Sequence, residues 1–517
     1  MAAVLLNWDL QAATPAGTTD EAQRTFQNML NHPQEHWYNL TLMNTKIGYM
    51  HTSVRARNVI QGTDLVYLKT KSPSPYEAEY QGKQVARNKT DIVMNFKALG
   101  TDITVEITRV EYIGPDLMPL YFLSTSNESG LKQIEGRIVD GIAHVKTTLN
   151  GEITESEISV PPDTISEHTG VASLLTQNGL KTGDKRTFHM FVFDLLKPVK
   201  TEIEILGEEI LTYQSEEKQV YVLKQTMDMM NGVTAKLWID TDGVNYRTEV
   251  PLMGLSMVTT KTDKETALGG IEDVDVILKT RILPSGKLPI PKAEHLEAEV
   301  KLLTGNIAEV VMSTRRQKLE ANYNGIGVTN PSYKLSIQVP VIVAEDCLNL
   351  PIQNAEGEFL TASAYIQADH PDIQAKAKEI LENEVNSWHA AEKLCRWVYA
   401  SIKEKKMSGG FASSLTVLQS LSGDCTEHTV LFIALARAAG IPARICSGIV
   451  FAKDAFYYHF WPEVYIGKWV QMDPTLDQVI ADANHIQLGG STLETDNLME
   501  YATDVFQTLN QLEITIY

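Results

Sequence analysis

Alternation dominates the first half of the chain. In Thr104-Val-Glu-Ile-Thr-Arg-Val-Glu-Tyr112 apolar and polar residues exchange at nearly every step, the period of a strand with one solvated face. Strand-like runs at 37–42, 47–54, 65–71, 91–96, 103–112 and 132–146 predict antiparallel β-structure. A short helical piece is read at 171–178, and strands resume at 187–193, 201–208, 219–227, 235–239 and 244–251. The last two are joined by Asp240-Thr-Asp-Gly243, a strong hairpin signal. No linker-like composition interrupts these runs, so one large, strongly curved sheet is preferred over two stacked β subdomains. Residues 15–35 are polar and 1–36 read as a lead-in, with a short helix around 21–30.

The pattern changes after Pro284-Ser-Gly-Lys-Leu-Pro-Ile-Pro291, whose prolines and glycine continue neither regular structure. The expected division is therefore a β-rich domain at 37–290 and a second domain at 291–517. Approach strands at 297–303 and 333–343 precede two helices. The first opens at Pro371 and places Ile373, Ala377, Ile380 and Leu381 on one face; the second has the stripe Ala391, Leu394, Cys395, Val398 and Ile402. Cys395 reads as core. A third helix is capped by Asp424, carries Glu427 where a capping box needs it, and repeats Val430, Leu431, Ala434, Leu435 and Ala438 until Gly440 and Pro442 end it. Strands follow at 444–451, 460–466 and 469–472, with Gly467-Lys468 as a hairpin signal.

Three residues in this last stretch carry chemistry. Cys425 falls in the first turn of the capped helix, where the dipole and unpaired N–H groups favour thiolate. The bland alternative is a buried structural cysteine. His459 and Asp473 lie at the same end of two paired strands, so packing that pair on the helix produces the order nucleophile, base, orienter. Simple counting sets a condition. Across a two-residue loop His459 and Asp473 would point to opposite faces, and no triad could form. An odd-length loop or a β-bulge is required, with Pro462 the preferred bulge site and Gly467 the alternative through a three-residue connection.

These residues resemble the core of the transglutaminase-like superfamily. The resemblance rests on Gly-Asp-Cys-Thr-Glu-His at 423–428, Arg-Ala-Ala-Gly-Ile-Pro-Ala-Arg at 437–444, His459 with Trp461 and Glu463, and Trp469-Val with Asp473-Pro-Thr. It extends more loosely to His485-Ile and a terminal strand at 512–517, and covers the last third to two fifths of the chain. It implies an α+β papain-like core, which together with the large antiparallel β region read above makes a multidomain protein. It also implies acyl transfer on protein or peptide amides through Cys425, His459 and Asp473. Hydrolysis is preferred over glutamine transamidation, and a non-catalytic peptide-binding or assembly module is the alternative from another class.

Further candidates extend this reading. Gln419, six residues before Cys425, stands where papain-like enzymes place an oxyanion-binding amide, although an exposed helical glutamine is the commoner case. Trp461 could wall the acyl cleft or fill the core. His428 competes poorly as a base, because three residues on from the helix start its ring runs down the helix side. No zinc-ligand spacing is found apart from that of Cys425 and His428 themselves, and no calcium loop, so no metal and no cofactor is expected.

The chain has 517 residues, 43% hydrophobic and 21% charged, too many for one ordinary core. Its net charge of −20 argues against nucleic acid as a partner. Of four cysteines, Cys347, Cys395, Cys425 and Cys446, one is the candidate nucleophile and an odd number remains, so a disulfide scaffold is not expected. Nothing reads as membrane-spanning. The start as written is not a signal peptide, and a longer export signal upstream would place the chain outside the cytoplasm. Compartment and oligomeric state stay open.

Overall fold

From Gln34 to Thr262 the alternating runs become strands of one sheet, in which nearly every strand pairs with its neighbour in sequence. The strand Gln34–Leu42 also has Leu255–Thr262 on its other side, with Trp37 opposite Thr262 and Leu42 opposite Met257. Two meanders are thereby fused into a sheet of fifteen strands among the described residues, edged by Glu152–Ser159 and Thr164–Ile165. Its halves share a core. Phe122 stacks on Phe193 with ring centroids 4.3 Å apart, and both join Ile134, Val145 and Phe191 in one buried cluster. Strands distant in the sheet order, and the 3-10 turn Phe193–Leu195 that follows one of them, supply those residues, so the sheet is strongly curved.

The computed structural model describes residues 26, 27, 30, 31, 34–58, 84–115, 117–127, 131–149, 151–166, 181–228, 233–252, 255–272, 274–322, 330–352, 357–404, 412–491 and 508–517. The run at 65–71, the helical piece at 171–178 and most of the lead-in lie outside them. The run at 132–146 is two strands, Lys132–Val139 and Ile142–Leu149. Asp140 and Gly141 between them have φ of 50° and 74°, the backbone of a primed turn.

Two compact units emerge, the second built mainly on Asp275–Tyr517. The proline-rich stretch lies inside this second unit. Ser285–Gly286 pairs in parallel with Thr515 and Ile516 at the edge of a sheet, and the Lys287 N–H donates to Ile516 O at 3.1 Å. An edge strand tolerates flanking prolines, which is why linker-like residues are built into a sheet here.

Within the second unit, β1 (His295–Leu302), β2 (Gln317–Ala321) and β3 (Tyr333–Gln338) form a five-stranded sheet with Ser285–Gly286 and Leu512–Ile516. A four-stranded sheet joins β4 (Ala443–Ala452), β5 (Ala455–Tyr465), β6 (Trp469–Gln471) and β7 (His485–Ser491) in the order β6-β5-β4-β7. The two sheets share one apolar core. It includes Val300, Ile337 and Ile514 from the first and Ile449, Phe456 and Ile486 from the second.

Four helices pack on the smaller sheet or on one another: α1 (Pro371–Leu381), α2 (Ser387–Ser401), α3 (Ser414–Ser420) and α4 (Cys425–Ala438). Helix α4 is central and buried from Glu427 to Arg437, as an element apolar on nearly every side must be. Its capping box is complete. The Asp424 N–H donates to Glu427 Oε2 at 2.9 Å and the Thr426 N–H donates to Asp424 Oδ1 at 2.8 Å. Gly423, at φ 149°, has no room for a side chain, since a Cβ there would lie 2.3 Å from Glu427 Cβ.

Strand β4 admits β7 closely only because Gly448 is bare. A Cβ on Gly448 would sit 2.1 Å from Ile486 O and 2.8 Å from the Trp461 ring. Gly448→Ala should therefore destabilise the second unit by about 1–3 kcal/mol. Urea unfolding would measure it. An unchanged midpoint would show that β7 yields at no cost.

Candidate active site

The geometry begins in the hairpin between β5 and β6. Tyr465 pairs with Trp469, Val464 with Val470 and Glu463 with Gln471, so Ile466, Gly467 and Lys468 form a three-residue connection. Gly467 takes φ 104° and the Ile466 N–H donates to Lys468 O at 3.0 Å. An odd loop satisfies the register condition without a bulge at Pro462. His459, Trp461 and Asp473 consequently share a face.

On that face His459 Nε2 lies 2.8 Å from Asp473 Oδ2. The ring's other nitrogen, Nδ1, is thus the one available for proton transfer. Asp473 is fully buried and strongly held: its Oδ1 accepts the backbone N–H groups of Thr475 at 2.8 Å and Leu476 at 3.2 Å. Burial works to raise its pKa, but His459 and His485 outweigh burial and hold the carboxyl well below the usual range.

Cys425 is the first residue of α4 and half-buried. The N–H of Phe460, the residue after His459, donates to its sulfur, and Thr429 Oγ1 donates to Phe460 O at 3.2 Å. Two contacts one helical turn apart thus fasten the start of α4 to the strand segment bearing His459. Burial pushes the thiol up, Asp424 adds to this, and the Phe460 N–H opposes both. The helix start alone therefore does not produce a resting thiolate. Burial, with the Asp424 charge adding to it, outweighs it, and deprotonation needs a base.

Glu427 shows the same environment. Burial and the nearby Asp424 carboxylate raise its carboxyl to about 8, although the N–H groups of Asp424 and Ala412 donate to it.

Trp461 is fully buried, its Nε1–H donating to Gln471 Oε1 at 3.2 Å and its ring lying nearly parallel to His459 at 6.0 Å between centroids. It backs the histidine from within and does not line an open cleft. Gln419 is exposed near the end of α3. An oxyanion donor works in a water-excluded site, so its position suits the ordinary helical glutamine better. Glu463 accepts from Arg444 Nε at 2.8 Å and Nη2 at 2.6 Å, and the guanidinium lies over the Trp469 ring. Cys395 is buried in α2 with its sulfur 3.7 Å from Gln478 O, and all four cysteines are free.

The structure adds a residue that spacing did not single out. His485, at the start of β7, is fully buried, with Nε2 3.0 Å from Asp473 Oδ2 and Nδ1 2.9 Å from Asp482 Oδ1. Asp482 lies three residues earlier, a local pair open to reading from the sequence, but the bond to Asp473 depends on β7 lying beside β4.

His459, Asp473 and His485 offer ligand atoms within 4.8 Å of one another. Both rings meet the same carboxylate oxygen at hydrogen-bond distance, closer than the spacing of about 3.3 Å between neighbouring ligands around a tetrahedral ion with bonds near 2.0 Å. The arrangement fits a hydrogen-bonded chain.

Residues 374–474 match the sequence model of the Transglutaminase-like superfamily. An uncharacterized protein of Haemophilus influenzae is 33% identical over 96 residues, which are 18% of this chain and 26% of that protein; the match thus spans about a quarter of the relative's length. Among solved structures, similarity is found to a "Putative Cysteine Protease" from Cytophaga hutchinsonii, at 18% identity and TM-score 0.30 over 43% of this chain and 84% of that one. A second is a β-barrel-like protein, a domain of unknown function from Brucella abortus, at 14% identity and TM-score 0.31 over 45% and 96% of the two chains. The segment that carries Cys425, His459 and Asp473 therefore belongs to the transglutaminase-like superfamily.

Proposed function

We propose that the second unit is a papain-like thiol acyl-transfer domain acting on amide bonds of proteins or peptides, with Cys425 as nucleophile, His459 as base and Asp473 as orienter. The observation that carries this reading is the His459 Nε2 to Asp473 Oδ2 contact of 2.8 Å, beside a strand whose next N–H reaches the Cys425 sulfur. Asp473 fixes the Nε2–H tautomer and leaves the Nδ1 lone pair to take the thiol proton.

As that proton moves to Nδ1, the sulfur forms a bond to the carbonyl carbon. The oxyanion is met by the Cys425 N–H, one of the donors that a helix start leaves without an intrahelical partner. The C–N bond then breaks, and His459 returns its proton to the departing amine. Water resolves the acyl-enzyme in a hydrolase, an amine in a transamidase, and we favour water. Because the resting thiol is pushed up by burial, reaction starts from a neutral thiol, whose proton must pass to the base as the sulfur attacks.

Incubation with a peptide ester library, followed by intact-mass analysis, should trap an acyl adduct on Cys425 that is missing from Cys425→Ala. Labelling of Cys425 by iodoacetamide with the pH profile of a free thiol, and no adduct with any peptide, would favour the peptide-binding module instead.

A further inference from the structure

We propose that His485 is a doubly protonated positioning residue that turns the triad into a chain of four side chains, His459, Asp473, His485 and Asp482. This rests on the triad reading above and adds a member to it. Both nitrogens of the buried His485 ring face carboxylate oxygens, Asp482 Oδ1 at 2.9 Å and Asp473 Oδ2 at 3.0 Å. A neutral imidazole has one N–H, so one of those contacts would set a lone pair against a carboxylate. A proton must occupy each gap.

The surroundings decide where it resides. Asp473 Oδ1 accepts two backbone N–H groups, Asp482 Oδ1 accepts the Asn484 N–H at 3.0 Å, and Asp482 Oδ2 accepts from Gln478 Nε2 at 3.1 Å. Donors directed at both carboxyls stabilise their ionised forms, which leaves the extra proton on the ring. Burial alone would depress the imidazole, yet the two carboxylates outweigh it and raise it.

Within the chain and its backing arginine, two negative charges then meet two positive ones. Asp473 and Asp482 are negative; His485 is positive, and so is buried Arg316, whose guanidinium donates to Ala481 O at 2.8 Å and Asp482 O at 2.6 Å. The other titratable groups near Asp473 and His459 are Cys425, Asp424 and Glu427 at the start of α4, Cys395 on α2, and Asp477. Their thiols are pushed up and neutral, and Glu427 is raised to about 8.

The purpose of the cation follows. Asp473 uses one oxygen for both rings, so His459 faces a carboxylate whose charge is already largely compensated. That carboxylate orients the His459 ring through Nε2 and leaves Nδ1 as the nitrogen for proton transfer. Without His485 the whole charge of Asp473 would bear on the His459 ring, changing the pH at which Cys425 reacts.

The test is the pH dependence of Cys425 alkylation by iodoacetamide in the full chain, which needs no substrate. His485→Gln, which can still donate to Asp473 but carries no charge, should move the midpoint of the alkylation profile upward by about one pH unit and lower the rate near neutrality about tenfold. A variant altering packing alone would change the amplitude and leave the midpoint in place. Nitrogen NMR of histidine-labelled protein, with His485 assigned through Asp482→Asn, should show both ring nitrogens protonated in the wild type across neutral pH. That readout serves even where His485→Gln does not fold. A neutral-tautomer spectrum for His485, or an unmoved midpoint in folded His485→Gln, overturns the proposal. If His459→Ala leaves the alkylation profile of the wild type intact, the triad reading itself fails; a profile altered by His459→Ala and not by His485→Gln removes only the fourth member.

Discussion

Replacing His459 with alanine will slow acylation of Cys425 by about 10³-fold or more, and replacing Cys425 with alanine will abolish it. The structure makes this sharper than the motif does, because the Cys425 thiol is pushed up by burial and by Asp424 and cannot supply its own thiolate near neutrality. Cys425→Ala should remain folded, since the half-buried side chain at the start of α4 contributes little packing. Asp473→Asn should lose less than His459→Ala, because its amide oxygen still accepts from the ring. Stopped-flow measurement of acyl-adduct formation would rank the variants. His459→Ala acylating at the wild-type rate would end the assignment.

Asp473→Ala is expected to cost about 3–5 kcal/mol of stability, beyond any effect on reaction. Two buried histidines bond the same oxygen, and two backbone N–H groups bond the other, so truncation strands four donors and leaves His485 with Asp482 alone. The pH dependence has a defined sign. Asp473 is depressed in the fold, so its contribution is present above the ordinary carboxylate range and is lost as pH falls through its lowered value. His485 is raised, so its contribution is complete below the ordinary imidazole range and is lost as pH rises through its elevated value. Urea midpoints at about pH 5, 7 and 9 should thus fall toward the alkaline end in the wild type and vary less in Asp473→Ala. A loss below about 1 kcal/mol would mean that the network is relaxed or hydrated.

What could be read from the sequence, and what could not, divides by the distance over which a feature is decided. The α4 cap was legible because Asp424, Glu427 and Gly440 act within the helix they bound. The parity of the β5–β6 connection was legible as a requirement, because His459 and Asp473 are neighbours across one hairpin. Its solution, three loop residues rather than a bulge at Pro462, was not, since both give the same alternation. The Asp140-Gly141 turn lay inside a run that read as one strand because the residues on either side continue its β character. The strand at Leu255–Thr262 went unread for a similar reason: it is rich in threonine, and its partner lies at the far end of the first unit. His485 was seen only as an outlying match to the family pattern. Its bond to Asp473 exists because β7 joins β4, and no local spacing encodes that.

The pairing of the first strand with the last has a consequence for the order in which the first unit is made. Trp37 waits for Thr262, so one long flank of Gln34–Leu42 stays unsatisfied through most of that unit's synthesis while the meander on its other side zips up at once. Late closure of so distant a contact slows folding and leaves a bare strand edge in the meantime. A ribosome-bound chain that ends before the final strand has emerged should therefore present that edge to chaperones or to other nascent copies, and release past Thr262 should hide it in a single cooperative step.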